Sequence, residues 1–219
     1  NATGLGSTSA GDTTRFRVES SGTFWLSPTP DRPSVGWDAA MERICTYAVL
    51  AARVEDPAAE NTAANATDHA SRSAVPPRLL VLNAHFDHMG DRARLESAKL
   101  LVKEWIEPAL AGMEDSDSPF AGLPVVLLGD LNALPGSEPL AELTSRLLDA
   151  YTTSVESPAG PSGTFNGFAE KPEYAGRIDY VLHSNAFRTM RYQTFAGRRD
   201  GRFPSDHFPV LADLRWNTP

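Results

Sequence analysis

Two short apolar runs, each ending in acid, amide and imidazole groups, restrict the possible folds of this chain more than any other feature. Leu79-Leu80-Val81-Leu82 leads into Asn83-Ala84-His85-Phe86-Asp87-His88, and Val125-Val126-Leu127-Leu128 leads into Gly129-Asp130-Leu131-Asn132. Runs this short and this continuous read as strands covered on both faces, so the sheet that holds them needs a layer above and a layer below. Arg177 to His183 and Phe208 to Trp216 read as further strands, as do Thr14 to Glu19 and Ile44 to Val54. Between the two leading strands, Leu95, Ala98, Val102, Trp105 and Ile106 recur at helical spacing, with Asp91 as the expected N-cap. Pro139 to Leu148 predicts a shorter amphipathic helix. Helices and strands intermix without an internal repeat, which predicts an α/β sandwich rather than a bundle or barrel.

The 219 residues suit one domain over 15–219, preceded by a lead-in rich in Gly, Ser, Thr and Ala. From Glu55 to Pro77 apolar periodicity disappears, so residues 55–77 are expected to form a surface insertion; it carries a glycosylation triplet, Asn65-Ala66-Thr67. No apolar run approaches the roughly 20 residues of a membrane helix, so no membrane span is expected. A lone cysteine, Cys45 in an apolar stretch, excludes an internal disulfide and a cysteine-rich metal cluster. The net charge of −8 argues against a general basic coat for nucleic acid. Positive charge is local instead: Arg188, Arg191, Arg198, Arg199 and Arg202 lie just before Ser205-Asp206-His207. That position makes Arg198 and Arg199 candidate substrate contacts.

The chemistry is read strand by strand. Asn83, His85 and Asp87 are spaced two apart, which in an extended chain projects them to one face. Asp130 and Asn132 share that spacing; a carboxylate there can polarise a water while an amide donates to a phosphate oxygen, and Gly129 allows close backbone approach to a ligand. Asp179 stands among apolar residues and needs a partner to offset its desolvation; a histidine suits it, and His207 is the candidate. Asp206 and His207 are adjacent and point different ways, which suits separate roles. Ser205 is too close in sequence to His207 to serve as a triad nucleophile.

Taken in order, Asn83 to His88, Gly129 to Asn132, Arg177-Ile178-Asp179-Tyr180 and Ser205-Asp206-His207 resemble the endonuclease/exonuclease/phosphatase superfamily of deoxyribonuclease-like enzymes. The resemblance covers most of residues 15 to 215, leaving out the insertion. It implies a two-sheet α/β sandwich and hydrolysis of phosphoester bonds by in-line water attack. It further implies one divalent ion, Mg²⁺ with Mn²⁺ as a substitute, with Asp206 on the metal side. His207 would contact the scissile phosphate, oriented by Asp179. Asp130 would activate water, while Asn132, His85 and Asn83 would contact substrate, a phosphate-bearing molecule that includes nucleic acid among its possible forms.

One departure from the family pattern shapes a further expectation. An early strand carrying Asn and a second ending in Gln-Glu, whose Glu is the main metal ligand, have no counterpart in residues 1–22. The fold is therefore expected to be N-terminally incomplete and to bind Mg²⁺ poorly, unless the remainder is supplied in trans. Two alternatives follow: an incomplete domain that binds a phosphate-bearing ligand without turnover, and a zinc hydrolase of metallo-β-lactamase type built on His85, Asp87 and His88.

Overall fold

The computed structural model describes residues 15–53, 77–114, 116–169 and 176–217. The lead-in, nearly all of the expected insertion, its Asn65 triplet and His69 lie outside the described residues.

The two leading strands are neighbours. β3 (Arg78–His85) and β4 (Val125–Asp130) run parallel, in register from Leu80↔Val125 to His85↔Asp130. Parallel neighbours need a crossover, supplied by α1 (Asp91–Leu101), a π-helical turn (Val102–Ile106) and α2 (Glu107–Leu110). Around this pair stand β1 (Phe16–Trp25), β2 (Ile44–Ala52), β5 (Leu148–Asp149) and β6 (Asp179–His183), giving one sheet of order β1-β2-β3-β4-β6-β5. All its other pairings are antiparallel. β7 (Phe187–Thr194) and β8 (Val210–Trp216) form a second, antiparallel sheet. The two short remaining helices are α3 (Glu138–Thr144) and α4 (Ala150–Thr153).

Alternation along the central strands assigns each side chain to a layer. Leu80, Leu82 and Ala84 of β3 and Val125 and Leu127 of β4 face Ala98, Leu101, Ile106 and Leu143, the helical layer. Leu79, Val81, Val126, Leu128 and Val181 face the other way and pack with Phe187 and Leu214 of the small sheet. The sandwich and its two sheets are thus as expected. The same period of two puts Asn83, His85, Asp130 and Asp179 on the small-sheet side, beyond the last apolar residues of their strands.

Several local expectations change. The strand expected to end at Glu19 runs on to Trp25 as β1, with a register shift between Val18 and Ser20, and Thr14 lies outside the described residues. Helix α1 is capped from a distance: Asp38 accepts from the N–H groups of Ala93 (2.6 Å) and Arg92 (3.3 Å), while Asp91 ion-pairs with Arg94. Asp87 does not continue the His85 face. It is buried beyond the strand end, accepts from the N–H groups of Met89 and Gly90, and pairs with Arg43 at 3.2 Å. Burial opposes its ionisation, but the N–H groups of Gly90, Met89 and Ala40 and the Arg43 guanidinium outweigh that and hold its pKa far below the usual range. Gly129, at φ 136°, is required by protein rather than ligand: a Cβ there would stand 1.9 Å from the carbonyl oxygen of Ala84.

Candidate active site

The ends of β3, β4 and β6 bring three side chains to one place, and the loop into β8 brings a fourth. His85 and Asp130 are cross-strand partners, as are Asp130 and Asp179. Asp130 Oδ2 is the hub: His85 Nε2 lies 3.2 Å away and His207 Nε2 3.8 Å away. His207 Nδ1 is 2.8 Å from Asp179 Oδ2, which makes Asp179 the acceptor and fixes the proton on Nδ1. His85, Asp130, His207 and Asp179 therefore form one alternating chain of imidazoles and carboxylates.

The electrostatics follow from that order. The Asp179 hydrogen bond raises the pKa of His207 above 6.5; burial works against the shift, and the charges of Asp179, Asp130 and Asp206 support it. A protonated His207 has a second donor at Nε2, and 3.8 Å to Asp130 is too long for a hydrogen bond. That donor is available to an anionic oxygen placed beside the pair.

Asn132 orients the hub. Its backbone N–H donates to Asp130 Oδ1 at 2.9 Å, and its amide donates to the Phe86 carbonyl at 3.0 Å and to Asp130 Oδ2 at 3.3 Å. These bonds hold it at φ 46°, a left-handed conformation that Asn tolerates better than most residues. Asn83 shares the His85 face one strand repeat further in, and is half-buried.

The loop carrying His207 is held by residues that sequence reasoning missed. The Thr164 hydroxyl accepts from the N–H groups of Ile178 (3.0 Å) and Asp179 (3.1 Å), and its carbonyl accepts from Phe208. The Asp206 carbonyl accepts from Asn166 and Gly167, and the Asn166 amide donates to the Ser205 carbonyl. The Phe165 ring meets the His207 ring edge-on, with centroids 5.1 Å apart. Only the turn-forming Asn166-Gly167 pair signalled any of this in the sequence. Tyr180 adds a tie beneath: its hydroxyl lies 2.8 Å from both the Ala133 and Arg177 carbonyls, linking the segments that follow Asn132 and precede Asp179.

Other sequence candidates stand apart. Arg188 and Arg191 are exposed on β7, a strand their charges obscured. Arg198 lies over the Phe203 ring at 4.3 Å. The carboxylate of Asp206 does not join the compact cluster. Ligand atoms of Asp130, Asp179 and His207 all fall within 4.8 Å of one another, and they form the one such group among the described residues. As a divalent-ion site its two carboxylates fit a hard cation, which takes one or two carboxylates and completes its shell with water and substrate phosphate. The protonated His207 fits that role less well. Among the described residues the zinc alternative finds no ligand cluster: His88 Nδ1 is 2.7 Å from Arg43, and His183 is buried against Ser184 and Thr189.

Comparison with known proteins supplies relatives. The endonuclease/exonuclease/phosphatase family profile matches residues 108–207. No curated protein matches. Among solved structures, a family protein from Bacteroides thetaiotaomicron is 30% identical over 92% of this chain and 64% of its own, with a TM-score of 0.72. A mannosyl-6-phosphatase from Bacteroides thetaiotaomicron VPI-5482 is 30% identical over 93% of this chain and 68% of its own, with a TM-score of 0.70. A functionally unknown conserved protein from Enterococcus faecalis V583 is 27% identical, covering 94% of this chain and 69% of its own, at 0.72. The chain thus spans about two thirds of the length of these structures. With the identity to the phosphatase and the ordered strand ends described above, the chain belongs to the endonuclease/exonuclease/phosphatase family.

Proposed function

We propose that this site hydrolyses phosphoester bonds by in-line attack of water. The observation that carries the reading is the His207 imidazole held by Asp179, with its second nitrogen beside but not hydrogen-bonded to Asp130. A phosphoryl oxygen beside the His207–Asp130 pair accepts from the charged His207, and His85 offers a second contact. Asp130 takes a proton from the attacking water, its carboxylate kept in place by Asn132. Oxygen from water bonds to phosphorus as the ester oxygen departs, and the alcohol takes its proton from solvent. A divalent ion, Mg²⁺ or Mn²⁺, would be held by Asp130 and Asp179 and would supply neutralisation of phosphoryl charge.

The substrate class we favour is a phosphomonoester on a small polar molecule. The mannosyl-6-phosphatase relative supports it, and the net charge of −8 disfavours long polyanions. Nucleic acid is the second reading, resting on the nuclease members of the family. The test is hydrolysis of p-nitrophenyl phosphate, mannose 6-phosphate and single-stranded DNA with Mg²⁺ or Mn²⁺, comparing the protein with Asp130→Ala. A loss of about 10²- to 10⁴-fold in the variant is expected for a general base. Equal background rates in both proteins would sink the catalytic reading and leave a domain that only binds.

A further inference from the structure

Between β7 and the His207 loop, the sequence Arg198-Arg199-Asp200-Gly201-Arg202 places three arginines around an Asp-Gly pair, the signature of a tight two-residue hairpin turn. The structure forms that turn. Arg199 N–H donates to the Arg202 carbonyl at 2.9 Å, and Arg202 N–H donates to the Arg199 carbonyl at 3.0 Å. Asp200 at φ 50° and Gly201 at φ 75° supply the two left-handed residues it requires. Directly opposed residues of an antiparallel bridge project to the same face, with Cα atoms about 5.5 Å apart. Arg199 and Arg202 are such a pair.

Like charges directly opposite each other destabilise a hairpin, so the turn that defines this loop also holds two guanidiniums in mutual repulsion. Both line one shallow cavity of about 440 Å³, together with Asp200, Phe203 and Pro204. Neither guanidinium has an ion-pair partner among the described residues, Asp200 included. Arg198 stacks on Phe203 instead, at 4.3 Å. Arg202 is five residues from His207, so their Cα atoms lie within about 18 Å of each other, and the bridge holds Arg199 beside Arg202.

We propose that Arg199 and Arg202 clamp a second phosphate group of a small substrate whose scissile phosphate lies at His207. The proposal rests on the phosphoester-hydrolase reading above. Two forked guanidiniums on one face match the oxygens of a single phosphate, and its charge relieves their repulsion. One compact pair, on a protein of net charge −8, favours a small doubly phosphorylated molecule over a strand of nucleic acid.

The test compares fructose 1,6-bisphosphate with fructose 6-phosphate as probes. The wild-type protein should prefer the bisphosphate in kcat/KM by about tenfold or more, and an R199Q/R202Q variant should lose that preference. Calorimetric titration of fructose 1,6-bisphosphate into a His207→Ala protein reads the clamp without catalysis. Binding there, abolished by adding R199Q/R202Q, upholds the clamp even if no variant hydrolyses anything, in which case only the hydrolase reading falls. Equal kcat/KM for the two sugars with no calorimetric binding overturns the clamp, as does a gain seen only with single-stranded oligonucleotide. Circular dichroism of the double variant separates either outcome from misfolding.

Discussion

His207 carries the sharpest expectations at the scale of single residues. Its pKa is raised by Asp179, so the protonated form persists to higher pH than an ordinary histidine allows. Activity that needs the charged imidazole is full below that pKa and declines as pH rises through it. Asp179→Asn removes the principal cause, so the alkaline limb of the kcat/KM–pH profile should move to lower pH; an unmoved limb would assign it to another group. The same sign holds for stability. Because the folded value exceeds the unfolded one, His207 stabilises the fold below about pH 6.5 and ceases to do so above its folded pKa. Asp87 has the opposite sign: its depressed pKa stabilises the fold above about pH 4, and that contribution is lost as pH falls toward the folded value. Asp87→Ala, which leaves Arg43 half-partnered beneath the surface, should cost about 3 kcal/mol in denaturant melts. The dyad of Asp179 and His207 was legible in the sequence because a carboxylate among Ile178, Tyr180 and Val181 demands a cation. The hub at Asp130 Oδ2 was not, since meeting two imidazoles depends on the parallel register of β3 with β4 and on where the β8 loop docks.

Among elements, strands written in unbroken aliphatic residues were readable, and strands written in mixed ones were not. β3 and β4 announced themselves through four apolar residues each. β7 did not: Phe187, Thr189, Tyr192 and Thr194 form its buried face, but Arg188 and Arg191 between them resemble a basic loop. Helix α1 was visible by period, whereas its cap was not, because Asp38 lies on a segment remote from Asp91 in sequence. The β3–β4 pairing carries the strongest mutational prediction here. Gly129→Ala would place a methyl group against the Ala84 carbonyl in a backbone conformation hostile to L-residues, and should destabilise by more than about 3 kcal/mol in thermal or denaturant unfolding. A smaller effect would mean that the two strands can separate without disturbing the fold. Tyr180→Phe tests the tie below the site. Losing a buried hydroxyl that reaches the Ala133 and Arg177 carbonyls should cost about 1–2 kcal/mol, and should lower kcat more than it raises KM if Asp130 and Asp179 drift apart.

For the whole molecule, the layered plan is what the sequence conveyed best, because strands apolar on both faces admit few alternatives. What it withheld was the boundary between the layers. His85, Asp130 and Asp179 belong to the large sheet, while His207 rides on the loop into β8 of the small one. The aliphatic contact between the sheets is modest, centred on Leu79, Val126 and Phe187. Denaturant should therefore abolish hydrolysis at lower concentration than it abolishes far-ultraviolet dichroism, and coincident transitions would show that the sheets part only on global unfolding. The arrangement has a bearing on how such a protein is made. Synthesis proceeds from the N-terminus, and the large sheet is complete before β8 emerges. A nascent chain thus holds His85, Asp130 and Asp179 before His207 emerges, and the four-residue cluster closes only when β8 docks.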